Sequence, residues 1–258
     1  MNSAEGVYGL IVALLFAIAA GLVGSIALMK RMLLASDVIS HVALPGLGLA
    51  FLFGFNPLIG GAASLFVGTL LIWQLQKRTA LATEAMIGVV FAASLAIGAA
   101  LTPQRDLIEA LFGHFQPLSL GTSLLGAVSV LLVIFVIFRL RDQLVLALFS
   151  PELAAATSVP VSRLNLYFLL SFSLTVLVGL RFMGALLAGA LVIIPAATGR
   201  RLANNLPGFL IGSCLASVTA VALGFIVTTL IAPRLSLGPV VVIISAAFFV
   251  VSLIKKTT

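Results

Sequence analysis

Stretches of apolar sequence long enough to cross a bilayer as helices follow one another along almost the whole chain, with short gaps between them. A spanning helix needs about 20 largely apolar residues. By that measure the sequence predicts nine spans, at about 6–29, 38–54, 57–76, 84–101, 119–138, 163–180, 182–198, 208–230 and 237–254, with eight as the alternative count. Of the 258 residues, 62% are hydrophobic and only 8% are charged, where a soluble domain carries about 25% charged residues. A water-soluble fold has too few charges here to cover its outside. The expected fold class is therefore all-α: a polytopic transmembrane helix bundle of about 8–9 spans, one domain over 1–258, with no room left for a soluble domain.

The net charge of +7 is not a nucleic-acid footprint, because the basic residues do not form one patch but sit at the ends of the apolar runs. There they set orientation. With the N-terminus outside, eleven of them face the cytoplasm: Lys30, Arg31, Lys77, Arg78, Arg139, Arg141, Arg163, Arg200, Arg201, Lys255 and Lys256. Only Arg105, Arg181 and Arg234 then face outward, so the expected arrangement is N-terminus outside and C-terminus cytoplasmic. The first apolar run has no basic region before it and no clear cleavage site, so it is read as a span and not a signal peptide. The single cysteine, Cys214, cannot form an intrachain disulfide.

Small residues recur every four positions at Gly60, Ser64 and Gly68, at Gly88, Ala92, Ala96 and Ala100, and at Gly184 and Ala188. Such faces let helix backbones approach closely in lipid, and they are common to all membrane bundles.

Ionisable residues inside a membrane are costly, so each raises the question of function. The stretch Ser36-Asp37-Val38-Ile39-Ser40-His41-Val42-Ala43-Leu44-Pro45-Gly46 is the most informative. Asp37 and His41 are four apart and share one face of a helix. Carboxylate plus imidazole is a partial shell for zinc, manganese or iron. Pro45 has no N–H for the carbonyl of His41, and Gly46 follows, so the helix is expected to kink or unwind beside the pair and free that carbonyl for a ligand, a water or a neighbouring hydroxyl. The structural alternative is an Asp–His pair that ties helices together, or a Ser36/Asp37 cap. Glu84 opens the fourth span on the face of Gly88 and Ala92, which would point it into the bundle. It is either a third ligand or gate residue, or an acid completing an N-terminal turn. His114 lies in the outer connection between the fourth and fifth spans, where it is either a metal-entry group or an ordinary loop histidine, and Arg181 in a tight outer turn where it snorkels to the headgroups.

The loop at about 140–162 is long for this chain. Ser150 is a helix cap, Pro151 a first-turn proline and Glu152 a first-turn acid. Leu153, Ala154, Ala155 and Ala156 favour helix. With Thr157 and Ser158 before Pro160, this predicts about two turns of helix on the cytoplasmic side, which either dock on a partner or simply make a turn between spans. No phosphate-binding glycine loop and no nucleophile–base signature appears, so ATP, if used, is bound by another chain.

Taken in order, several segments resemble the membrane subunits of metal-importing ABC transporters, the zinc, manganese and iron permease family. They are Lys30-Arg31-Met32 leading into Ser36–Gly46, Thr83-Glu84-Ala85-Met86-Ile87-Gly88, Leu111-Phe112-Gly113, the loop from Ser150, and the stretch at 183–201 with its Ile-Pro-Ala-Ala. The resemblance covers nearly the whole chain, with Gly199 standing where an alanine is usual and Ser236-Leu237-Gly238-Pro239 in place of a Thr-Gly-Pro turn. It implies a homodimeric permease with no ATPase site of its own, two ATP-binding subunits docked beneath on the segment Pro151–Ser158, and an extracytoplasmic metal-binding protein outside. It implies a divalent metal as transported substrate, no permanently bound cofactor, and Asp37 and His41 as the groups that coordinate it in transit. Hydropathy places Asp37 near the inner end of its span, whereas a transit site is expected within the membrane. Either 30–36 is itself embedded, or the pair lies lower. The competing readings are a permease for a siderophore or cobalamin, which needs no Asp–His pair, and a secondary transporter, which predicts paired broken helices in a repeat. Prolines stand in or near spans at Pro45 and Pro195, but no repeat surrounds them.

Overall fold

The computed structural model describes residues 3–32, 35–79, 83–101, 120–231 and 235–254, with backbone alone at 3–6, 35–37, 151 and 181–187. All regular structure among the described residues is helical. In chain order the helices are α1 (Ser3–Met29), α2 (Ala35–His41), α3 (Leu44–Phe53), α4 (Pro57–Arg78) and α5 (Thr83–Leu101). They continue as α6 (Leu120–Phe149), α7 (Pro151–Ala156), α8 (Val161–Leu202), α9 (Leu206–Ile226, widening to a π turn over Val227–Ile231) and α10 (Leu237–Ser252). Six helices are long and apolar enough to cross a membrane, and Val38–Phe53 and Leu237–Ser252 are shorter apolar helices. Large apolar side chains such as Leu125, Phe135 and Ile243 stand exposed around the bundle. A surface that greasy fits lipid and not water.

Local signals set the helix ends. Asn56 accepts a hydrogen bond from Leu58 N at 2.9 Å, and Pro57 takes the first position of α4. Asn205 does the same for α9 through Gly208 N at 2.8 Å. Such acceptors satisfy donors that a first turn leaves orphaned. α1 ends at Arg31, which is left-handed with φ 59°. Met32 N–H then reaches Ala27 O at 2.8 Å and Arg31 N–H reaches Leu28 O at 3.1 Å, the Schellman pair of bonds.

α8 is helical throughout, yet it is two arms and not a rod. Nine residues of straight helix rise about 13.5 Å, but a Cβ placed on Gly179 would stand 2.8 Å from Ala188 Cβ and 2.7 Å from Phe16 of α1. The chain has therefore doubled back between these residues. The first arm runs antiparallel to α1: Lys30 bonds Asn165 at 2.8 Å, while Phe16 lies at Gly179. The second runs parallel to it, with Gly24 against Val192 and Ala196. This is the tight turn expected between 163–180 and 182–198. The side chain of Arg181 lies outside the described residues.

α1 is the hub. Its apolar window is 67% buried, where the other long spans reach 22–44%. α6, α9 and both arms of α8 pack around it. Gly24 is required there: a Cβ would fall 2.1 Å from the carbonyl oxygen of Val192.

The second packing centre joins α3 to α4. A Cβ on Gly46 would stand 1.9 Å from Gly60 O, and one on Gly60 would stand 2.2 Å from Gly46 O. Only glycine permits this approach. The stripe Gly60, Ser64, Gly68 is thus an internal contact. The stripe Gly88, Ala92, Ala96, Ala100 is not: Gly88 faces open space, and the three alanines are exposed. α5 instead turns Ile87, Val90, Ser94 and Gly98 inward, onto α2 and α3. The expectation that Glu84 points into the bundle is corrected with it, for Glu84 is exposed.

At the end of the bundle that carries the α7 loop, polar side chains tie α1, α4 and α8 together. Lys30 Nζ donates to Asn165 Oδ1 at 2.8 Å and stands 5.2 Å over the ring of Phe168. Asn165 Nδ2 in turn donates to Gln76 Oε1. Trp73 Nε1 donates to Ser162 O at 2.8 Å, and Lys77 covers the Trp73 ring at 3.6 Å. Burial pushes the Lys30 ammonium down to about 8.

Two predictions follow from this packing. Gly46→Ala and Gly60→Ala each lower the melting temperature of the purified chain in detergent by several degrees, because overpacking costs about 1–3 kcal/mol. Gly88→Ala leaves it unchanged or raises it, since the added methyl meets nothing and alanine favours helix. For Lys30 the sign follows from linkage: between its folded value of about 8 and the ordinary 10.5, the unfolded chain holds a proton that the folded chain has released, so stability rises with pH in that window. Melting curves across that window should show wild type gaining on Lys30→Met. A constant difference between the two contradicts burial of the charge.

Candidate functional site

The site is a break in a helix. α2 ends at His41 and α3 begins at Leu44. A residue before proline is pushed from helical geometry, and proline brings no N–H. The ladder tightens here, with Val42 N–H on Ile39 O at 3.0 Å and Ala43 N–H on Ser40 O at 3.3 Å. It resumes with Leu47 N–H on Ala43 O at 3.0 Å, and Pro45 sits harmlessly in the first turn of α3. The carbonyl taken by a neighbouring hydroxyl is that of Val42, one residue on from the one expected: Ser64 Oγ of α4 donates to it at 2.6 Å.

Both sides grip the break. Gly68 of α4 makes room for Val42, whose Cγ1 would stand 2.3 Å from a Cβ there. Gly98 of α5 makes room for Leu44, whose Cβ would stand at 2.6 Å. The His41 ring meets Phe91 of α5 with centroids 5.5 Å apart and planes tilted by 57°. Gly68 and Phe91 lie near the middle of α4 and α5, so His41 stands at mid-span.

His41 is partly buried, and its Nδ1 is fully buried with no hydrogen-bond partner among the described residues. A buried polar atom left unpaired costs about 1–3 kcal/mol. Such an atom fits a site that is completed by something outside this single chain's described residues. Asp37 stands one turn earlier on the α2 backbone, and its side chain lies outside the described residues. His114 lies outside them altogether. Glu84 occupies the first turn of α5, seven residues before Phe91 and so about 10 Å away along the axis. Among the described residues no three His, Cys, Asp or Glu side chains cluster as a metal shell.

The second functional element is α7. Pro151 takes its first position and Glu152 its first turn, but Ser150 makes no side-chain capping bond. The helix has six residues and ends at Ser158, left-handed with φ 56°. Val159 N–H reaches Ala154 O at 2.9 Å and Ser158 N–H reaches Ala155 O at 3.1 Å, a second Schellman end. Ala154 is buried and anchors the turn, while Glu152, Leu153, Ala155, Ala156, Thr157 and Ser158 are exposed. Phe149 at 71% and Leu153 at 55% exposure make an uncovered apolar ridge.

Phe91, Gly68 and Gly98 were not singled out as site residues by sequence. Gly68 carried a signal as part of a small-residue stripe; a phenylalanine in an apolar run carries none.

Known proteins share this architecture. The chain is similar over 94% of its length to the manganese import system permease protein ScaB of Streptococcus parasanguinis, at 31% identity and covering 88% of that protein. It is 27% identical to the high-affinity zinc uptake system membrane protein ZnuB of Haemophilus influenzae, with 88% of each chain covered. In three dimensions it matches PsaBC from Streptococcus pneumoniae, solved in complex with Fab, with a TM-score of 0.80 and 26% identity over 95% of this chain and 89% of that one. The ABC 3 transport family matches residues 7–256. With spanning helices, relatives and family match in agreement, this multi-pass membrane protein belongs to the ABC 3 transport family.

Proposed function

We propose that this chain is a single permease domain that carries a divalent transition metal ion, manganese, zinc or iron, across the cell membrane as part of an ATP-driven importer. The observation that carries the reading is the buried Nδ1 of His41, without a hydrogen-bond partner among the described residues, beside a helix break near the middle of α4 and α5, with Asp37 one turn before it. A carboxylate and an imidazole at that spacing give an incoming cation two ligands of suitable hardness, and the ion exchanges waters for them in passing. The remaining ligands come from water, from other helices or from a second copy. The exposed face of Glu84, Gly88, Ala92, Ala96 and Ala100 is where we place that second copy, since small residues admit close helix contact in lipid. Glu84 stands at the rim of that face as a gate residue.

Nine crossings follow if the two short apolar helices and both arms of α8 each cross. The N-terminus then lies outside and the α7 loop with the C-terminus lies in the cytoplasm, in keeping with the basic residues. The exposed ridge of Phe149 and Leu153, with Pro151 to Ser158, docks in a groove of a separate ATP-binding subunit, as an amphipathic helix does. An extracytoplasmic metal-binding protein delivers the ion from the other side. ATP binding and hydrolysis below move α7, and the bundle alternates its opening. The chain itself performs no hydrolysis.

The test is metal uptake by vesicles containing this chain with its ATPase and binding protein. Asp37→Ala and His41→Ala should each lose uptake of manganese, zinc or iron at least tenfold at matched membrane levels. Uptake at the wild-type rate by both variants would make the pair structural and sink the proposed transit site.

A further inference from the structure

A groove runs between α6 and α9, which pack on either side of α1. It has a volume of about 520 Å³. Ile18, Leu22 and Ile26 of α1 form its floor, Phe138 and Ile211 stand on its walls, and Arg141 lies at one end. Ile18 to Ile26 rises about 12 Å, close to one leaflet of a hydrocarbon core about 30 Å thick. The groove is therefore apolar over a length comparable to one leaflet, with the Arg141 guanidinium at one end. Arg141 is 42% exposed, and its Nε lies 3.2 Å from Asp142 Oδ1. Its guanidinium rests 4.7 Å from the Phe138 ring at the groove wall. Among the described residues nothing else takes its terminal nitrogens.

We infer that this groove holds an anionic phospholipid, with one acyl chain along α1 and its phosphate on the terminal nitrogens of Arg141. The occupant is an amphiphile because the lining is apolar along its length and charged at one end only. An extended protein segment would need polar partners along the groove for its backbone, which the apolar lining does not offer. Basic pockets between helices at the cytoplasmic end of a membrane protein recognise anionic headgroups in this way, and arginine supplies the planar donors that phosphate fits. Assignment to the inner leaflet rests on the orientation proposed above. The binding itself does not.

The test is native mass spectrometry of the full chain released from detergent after incubation with phosphatidylglycerol or phosphatidylcholine. Wild type should keep one phosphatidylglycerol and little phosphatidylcholine. Arg141→Ala should retain at least tenfold less, and Ile211→Trp, an exposed wall position filled with a bulky ring, should retain as little. Arg141→Lys should recover part of the binding. Equal retention by all variants, or equal retention of the two lipids, overturns the proposal. So does a wild-type dimer that carries no lipid and is lost in Ile211→Trp, for it would put a second copy in the groove. The masses read binding from either leaflet, so a reversed orientation would leave this result unchanged and would be seen separately, by thiol labelling of Ser158→Cys in a Cys214→Ser background in intact cells.

Discussion

Where α3 crosses α4, Gly46 and Gly60 each present a bare α-carbon to the other's carbonyl oxygen, closer than any Cβ allows. In lipid there is no hydrophobic force to push helices together, so contact of this kind has to supply the attraction. It also settles where the chain breaks. α3 begins one residue before Pro45, and docking α3 on α4 this tightly leaves Val42 and Ala43 as the joint. Ser64 and Gly68, one and two turns beyond Gly60, then hold that joint by a hydrogen bond and by a space for Val42. His41 follows passively. It is held against Phe91, near the middle of α5, with its Nδ1 buried and without a hydrogen-bond partner among the described residues.

The other half of the bundle is packed around one helix. α1 is gripped by both arms of α8, by α6 and by α9, and its end is fastened by Lys30, Asn165 and Gln76. The loop carrying α7 leaves from beside that fastening, between α6 and the first arm of α8. A closely packed hub next to a broken helix is an arrangement that suits the alternating path proposed above. The α7 loop joins α6 to α8, both of which pack on α1, and α2 packs on α8, so the joint and the α7 loop share a neighbour.

Much of this was readable in the residues, for identifiable reasons. Long apolar runs can only be helices in a bilayer, since every backbone group must be satisfied within the segment. Pro45-Gly46 announced the joint because proline lacks a donor. It did not announce which carbonyl would be taken, because that depends on where Ser64 falls once α4 has docked. Gly60, Ser64 and Gly68 and the run Gly88 to Ala100 looked alike in sequence, yet only the first is internal. A stripe of small residues says that a close contact exists and is silent about whose helix makes it. Depth was also out of reach: hydropathy reads the length of a run and not its tilt or its break, so it placed Asp37 only by its distance from the end of the run. Phe91 gave no sign at all. The turn at Arg181 was legible because an arginine in the middle of two apolar runs has to reach the headgroups.

The central claim is that His41 at the joint touches the ion in transit. Pulsed electron paramagnetic resonance on Mn²⁺ bound to the assembled, nucleotide-free importer tests it most directly, because an imidazole nitrogen on the metal gives a distinct nitrogen coupling. The account predicts that coupling in the wild type and in Glu84→Gln, and its loss in His41→Gln. A nitrogen coupling that survives His41→Gln would place the ion elsewhere and contradict the account.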